Sequence, residues 1–216
     1  DLKATNISSR QVGGDYYDIV ESPDGGYIVA IADVTGKGVP ASLLMANLQS
    51  MLHALAPIDI TLSEATNSIN NIIHHNTPAD KFITFFWGKI SKCGVYFEYV
   101  NAGHNNPLLF RAGKDRPVEL DKGGVILGAM ESLMPYDSDT IDLKKDDVLV
   151  LYTDGVTESM NPDNTEEYGE ERLEACIMKH LKEDSQTIMD AVIEDIRAFS
   201  DDTQYDDITM MVIKVD

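Results

Sequence analysis

The sequence predicts a layered α+β fold in which pairs of helices cover mainly antiparallel sheets. Three observations carry this reading. Strand-like runs and helical stretches come in blocks (strands, two helices, strands, two helices, a last strand) and not in the βαβα rhythm of a doubly wound parallel sheet. Runs 82–90 and 95–102 are separated only by the turn around Ser91-Lys92-Cys93-Gly94, the spacing of an antiparallel hairpin. Hydrophobic residues make up 43% and charged residues 25% of 216 residues, enough to bury one substantial core and against disorder.

The β-rich runs are 27–32, 82–90, 95–102, 108–111, 148–152 and 208–215, with Gly and Pro turns such as Ser22-Pro23-Asp24-Gly25-Gly26 between them. A first helix is predicted from Pro40, which suits an initial helical position, through Leu44, Leu48, Met51, Leu52 and Leu55 at three-and-four spacing. Thr61 and Glu64 form a capping-box pattern ahead of Ala65, Ile69, Ile72 and Ile73, so a second helix follows at once. A late pair is predicted over 167–181 and 185–199, the latter with Ile188, Val192, Ile196 and Phe199 on one stripe. The stretch 129–139 reads as a polar, exposed loop. No repeat or composition break divides the chain, so a single domain over 1–216 is expected; its start without a methionine reads as a domain excised from a longer protein.

Lys+Arg 17 against Asp+Glu 37 gives a net charge of −20, which argues against extended contact with nucleic acid or an anionic membrane. No run reaches the length of a membrane span, so no membrane insertion by this domain is expected. Cys93 and Cys176 are far apart and form no CxxC pair, as suits a reducing cytoplasm. The chain lacks G-x-x-x-x-G-K-[ST], H-E-x-x-H and G-x-S-x-G, which removes support for an NTPase, a zinc protease or a serine hydrolase.

The placement of the aspartates is the most informative chemical feature. Asp33 ends the apolar run from Tyr27 and precedes Val34-Thr35-Gly36-Lys37-Gly38; Asp154 ends the run from Val148 and precedes Gly155; Asp206 and Asp207 open the final strand; Asp15 and Asp18 follow Gly13-Gly14. A carboxylate where a buried strand emerges is rigidly held yet open to ligand. Converging carboxylates repel unless a cation intervenes, and an all-oxygen set favours Mg²⁺ or Mn²⁺ over Zn²⁺. A single strand-end Asp is as readily a turn former or helix cap, the reading given to Asp24 and Asp163. Asp33-Val34-Thr35 also resembles phosphohydrolases that form an aspartyl-phosphate, but those use a second acid where Thr35 stands, so this is the weaker reading. His74 and His75 sit near a helix end; for His104, in Asn101-Ala102-Gly103-His104-Asn105, facing a site and bonding its own turn are both open.

Together, Arg10-Gln11-Val12-Gly13-Gly14-Asp15-Tyr16-Tyr17-Asp18, Ile31 to Gly38, Asn101 to Asn105, Tyr152-Thr153-Asp154-Gly155 and Asp206-Asp207-Ile208-Thr209 resemble, in order and spacing, the PPM family of metal-dependent protein serine/threonine phosphatases. The likeness is to the bacterial SpoIIE/RsbU-like branch and covers nearly the whole chain. It implies a four-layer α-β-β-α sandwich of two mainly antiparallel sheets flanked by helix pairs, with two Mn²⁺ or Mg²⁺ ions. Carried over by motif, Asp15, Asp33 and the Val34 carbonyl hold metal, Asp154 and Asp206 complete the shell with Asp207 beside them, and Asp18 supports these ligands from behind. Arg10 falls where related phosphatases bind the substrate phosphate, and a guanidinium suits that role as a bidentate donor. Thr35 replaces a histidine that many eukaryotic members carry, which leaves a metal-bound water or His104 as proton donor.

The same resemblance implies direct attack of metal-bound hydroxide on phosphoserine or phosphothreonine. The implied substrate is a phosphorylated anti-sigma-factor antagonist in a cytoplasmic partner-switching pathway, with an upstream sensor or receiver domain, and a homodimer is compatible with it. The alternative is a catalytically silent pseudophosphatase acting as a signalling scaffold, whose mark would be a missing core aspartate; none is missing.

Overall fold

The computed structural model describes residues 1–9, 13–36, 38–78, 80–132 and 134–216. The elements run β1 (Leu2–Ile7), β2 (Asp15–Glu21), β3 (Tyr27–Val34), α1 (Val39–Leu55), α2 (Leu62–Asn76), β4 (Ile83–Ile90), β5 (Tyr96–Ala102) and β6 (Leu108–Phe110). They continue with β7 (Val118–Glu119), β8 (Gly123–Gly124), β9 (Asp139–Asp142), β10 (Val148–Tyr152), α3 (Asp154–Thr157), α4 (Gly169–His180), α5 (Ser185–Ser200) and β11 (Ile208–Lys214). The fold is α+β, with two mainly antiparallel sheets, each flanked by a helix pair.

The residues pack as two compact units. One, nested within the sequence, takes β2 to β5, α1, α2, β8 and β9; the other, flanking it in sequence, takes β1, β6, β7, β10, β11 and α3 to α5. The nested sheet is an antiparallel meander, β2-β3-β4-β5, extended by a short parallel pairing to β8 and an antiparallel one to β9. Alternate residues of its strands, including Ala30, Ala32, Phe85, Trp87 and Val100, pack under Leu44, Leu48 and Leu52 of α1 and Leu62, Ala65, Ile69 and Ile73 of α2. The buried Trp87 indole is satisfied by donating to Thr66 Oγ1 at 2.9 Å.

Both helices follow the predicted pattern, with one difference. The capping box of α2 forms, Thr61 Oγ1 accepting from the Glu64 N–H while the Glu64 carboxylate accepts from the Thr61 N–H. Ile72, predicted on the buried stripe, is 46% exposed, because Leu62, Ala65, Ile69 and Ile73 already fill the face that meets the sheet.

In the flanking unit the strand order is β1-β11-β10-β6-β7, all antiparallel. Val148, Val150 and Tyr152 of β10 and Met210 and Val212 of β11 pack against Leu173 and Ile177 of α4 and Ile188, Val192 and Ile196 of α5. Helix α5 is capped at both ends: Asp184 accepts from the Thr187 N–H at 2.7 Å, and Asp201 takes a left-handed conformation just beyond Ser200. Strands β1, β2 and β9 lie where no strand is predicted, since their runs mix charged and apolar residues. The stretch 129–139 is mostly exposed, but Tyr136 is buried and donates to the Val125 carbonyl at 2.9 Å, pinning the loop.

Candidate functional site

In the nested unit, the register of three strands assembles a polar row. Asp15 of β2 stands opposite Asp33 of β3, and Asp33 opposite Thr84 of β4. Strand alternation turns these three away from the helix-covered face, because their neighbours Tyr16, Ala32, Ile83 and Phe85 belong to the core under α1 and α2. Asp15 is buried at 7% exposure, whereas Asp33 is half-buried. Thr84 Oγ1 shares a 2.9 Å hydrogen bond with Nδ1 of His104, which is 5% exposed. His104 is also fixed in its turn, its N–H donating to Asn101 Oδ1 at 2.8 Å and its carbonyl accepting from Asn101 Nδ2 at 3.1 Å.

Gly14 decides the shape beside Asp33. A Cβ built there would lie 3.0 Å from the Val34 carbonyl oxygen, 3.3 Å from Asp33 Oδ1 and 3.4 Å from the Gly36 carbonyl oxygen. Three oxygens therefore converge on a point that any side chain would fill. Such a set, with Asp15 adjacent in register, is the donor chemistry of a hard divalent cation and unlike that of zinc. Carbonyl and carboxylate donors from one strand end thus fit Mg²⁺ or Mn²⁺, although among the described residues no group of three His, Cys, Asp or Glu side chains is placed to hold an ion alone.

In the flanking unit the carboxylates are held by a turn and not by a ladder. Asp154 is the first residue of α3, where its carbonyl accepts from the Glu158 N–H at 2.7 Å. This turn lies against the start of β11 so closely that a Cβ on Gly155 would fall 1.9 Å from the Asp207 carbonyl oxygen. Thr153 and Thr209 lock the two segments together, with Thr153 N–H donating to the Thr209 carbonyl at 3.0 Å and Thr209 N–H donating to Thr153 Oγ1 at 3.1 Å. Asp206 is exposed, and its Oδ1 accepts from the Asp207 N–H at 2.9 Å. Asp207 is 4% exposed, and its Oδ1 accepts from both the N–H and the hydroxyl of Ser9, at 2.7 and 3.0 Å.

Glu158 joins this acidic group. Burial first, then the charges of Asp154, Glu167 and Asp206, push its carboxyl above the usual range.

Asp18 differs from its expected place. Three residues beyond Asp15, it lies on the opposite face of β2, where Oδ2 accepts from Tyr16 Oη at 2.6 Å and bonds His53 Nε2 of α1 at 2.6 Å. Burial alone would raise its carboxyl, but the bonds from Tyr16, His53 and the Ile19 N–H outweigh that and hold it below the usual value. Its partners tie strand to helix and leave it on the far side from the Asp15 carboxylate. Arg10 lies outside the described residues.

Three contributors escape the sequence reading: Ser9, Thr84 and Glu158. Thr84 is detectable as a polar interruption in the apolar run 82–90, and Glu158 as the residue one helical turn beyond Asp154. Ser9 carries no such signal.

The family model described as Stage II sporulation protein E (SpoIIE) matches residues 23–216. The chain belongs to the SpoIIE family. Among relatives of this SpoIIE-family chain, phosphoserine phosphatase RsbU of Bacillus subtilis (strain 168) is 30% identical over 217 residues, covering 99% of the chain and 63% of RsbU. The chain spans less than two thirds of the length of the curated relatives it matches. The SiaA-PP2C domain of Pseudomonas aeruginosa shares the fold with a TM-score of 0.83 at 18% identity, over 100% of the chain and 86% of that domain. RsbX, solved in complex with magnesium, shares it with a TM-score of 0.69 at 16% identity, over 98% of the chain and 92% of RsbX. Among the described residues, no helix is long and apolar enough to cross a membrane.

Proposed function

We propose that this SpoIIE-family chain is a metal-dependent protein serine/threonine phosphatase, removing phosphate from phosphoserine or phosphothreonine on an anti-sigma-factor antagonist in a cytoplasmic partner-switching pathway. The observation that carries the reading is the Asp15–Asp33 register, with the oxygens of Val34 and Gly36 gathered around Gly14. Asp15, Asp33 and the Val34 carbonyl are the residues that would hold metal in the nested unit, and Asp154 and Asp206 those in the flanking unit. The donor set suits two Mn²⁺ or Mg²⁺ ions. When bound, such ions lower the pKa of water, orient it for in-line attack on phosphorus and offset negative charge.

The chain's own residues supply the rest. Arg10 would receive the phosphate as a bidentate donor. Asp207, engaged by Ser9, anchors the segment leading to Arg10 more readily than it ligates. His104 is buried and spends Nδ1 on Thr84, which supports a role in fixing the Asp33 row over one in meeting a leaving group. The extra length of the curated relatives is consistent with an upstream sensor or receiver domain, and dimerisation would belong with that regulatory part.

The test is hydrolysis of p-nitrophenyl phosphate and of a phosphoserine peptide in Mn²⁺, in Mg²⁺ and in excess chelator, with Asp33→Asn as control. Metal-dependent turnover that the substitution abolishes supports the phosphatase. Metal binding without turnover, in this chain alone and in a form carrying an upstream sensor or receiver domain, would favour the silent scaffold.

A further inference from the structure

The flanking unit holds a cavity of about 540 Å³ that the proposed chemistry does not use. Its apolar floor is the half-buried Met178 and Leu181, and the exposed Ala112, Gly113, Asp146, Lys179 and Lys182 stand around them. In sequence Lys144 and Lys145 precede Asp146 and Asp147, Lys114 and Asp115 follow Gly113, and Glu183 follows Lys182, so lysines outnumber carboxylates around the cavity by five to four. The cavity adjoins the start of β10, while Asp154 follows its end, a separation of roughly 25 Å along the strand. It is therefore remote from the carboxylates of its own unit.

Acids outnumber bases 37 to 17 over the chain, whereas the cavity's own lining carries two lysines against one aspartate. Among the described residues, Lys114, Lys144, Lys145, Lys179 and Lys182 form no ion pair. The ordinary explanation, lysines answering the dipole at the end of α4, is weakened because Lys214 Nζ already donates to the Leu181 carbonyl at 2.9 Å and to that of Glu183. A local excess of lysine beside Met178 and Leu181, on a chain of net charge −20, is complementary to a short acidic segment that carries an apolar side chain. A polyphosphate or a lipid surface fits less well, because it would extend beyond the patch onto acidic surface.

We propose that this cavity docks an acidic, apolar-bearing peptide segment of a partner protein, at a site separate from the carboxylates. The probe is a fluorescein-labelled peptide of alternating glutamate and leucine, followed by fluorescence anisotropy against the chain and against the double variant Lys179→Glu/Lys182→Glu. Both lysines are exposed, so the variant is expected to melt with the parent and to hydrolyse p-nitrophenyl phosphate at the same rate. Expected are binding by the parent, a loss of roughly tenfold or more in the variant, and weakening at about 0.3 M salt. An oligoglutamate peptide should bind more weakly, since it leaves the floor unfilled. The proposal is overturned by no binding at millimolar peptide, by equal binding to parent and variant, by oligoglutamate binding as well, or by phosphatidylserine vesicles binding where the peptide does not. Because the readout is peptide binding, failure here and failure of the phosphatase reading are distinguishable.

Discussion

The nested and flanking units each end a buried strand on aspartates, yet they hold those aspartates differently. In the nested unit Asp15 and Asp33 are neighbours in a continuous ladder, so the register that builds the sheet also sets their spacing. In the flanking unit Asp154 sits on a single turn of helix and Asp206 ahead of a strand, joined by the Thr153–Thr209 bonds and by the close approach at Gly155. A ladder distributes its constraint over many bonds, whereas a turn depends on a few. The comparison implies that chemistry should be most sensitive in the first unit and stability most sensitive in the second.

The largest effect is expected from Asp33→Asn, which should lower metal-dependent turnover by at least roughly 100-fold while leaving the melting temperature of the metal-free chain nearly unchanged. A large loss of stability would break the contrast between units. Next comes Gly155→Ala, whose methyl would meet backbone at 1.9 Å and should destabilise by about 1–3 kcal/mol in urea titration. Gly14→Ala, meeting its nearest atom at 3.0 Å, should cost less stability than Gly155→Ala but more metal affinity, read by calorimetry.

Two smaller effects concern pH. The Glu158 carboxyl is raised in the folded state, so its charge opposes folding above that raised value and has no effect below the unfolded value near pH 4. Glu158→Gln should therefore raise the melting temperature at neutral pH in chelator, with the gain vanishing in acid and shrinking when Mn²⁺ is added. The Asp18 carboxyl is depressed, so its contribution is complete above the unfolded value near pH 4 and is lost as pH falls through the folded one. Asp18→Asn should flatten the acid limb of the stability curve below about pH 4. A curve parallel to that of the parent would mean that the Tyr16–Asp18–His53 bonds contribute little.

The blocks of strands and helix pairs, the capping box at Thr61 and the strand-end positions of Asp33 and Asp154 are all legible in the sequence, because each rests on periodicity or local turn chemistry. Strands β1 and β2 are not, since Leu2–Ile7 and Asp15–Glu21 become strands through pairing with partners distant in sequence. Asp18 misleads for a related reason: proximity to Asp15 in sequence says nothing until the strand's alternation puts the two on opposite faces. The parts played by Ser9 and Gly14 depend on what packs against them, which no local pattern encodes.

The Ser9–Asp207 bond joins residues 198 positions apart, and β1 reaches the rest of its sheet only through β11. The nested sheet, by contrast, is built from two hairpins, β2–β3 and β4–β5, with α1 and α2 in the connection between them. Folding should therefore be ordered in time: the meander and its helices can form early from local contacts, while the flanking sheet waits for the late arrival of β11. Pulse-labelling hydrogen exchange during refolding should show amides of β3 and β4 protected before those of β1. An unfinished chain would then expose β10 as an open sheet edge, so synthesis or truncation that stops short of Ile208 should yield aggregation and not a smaller folded protein.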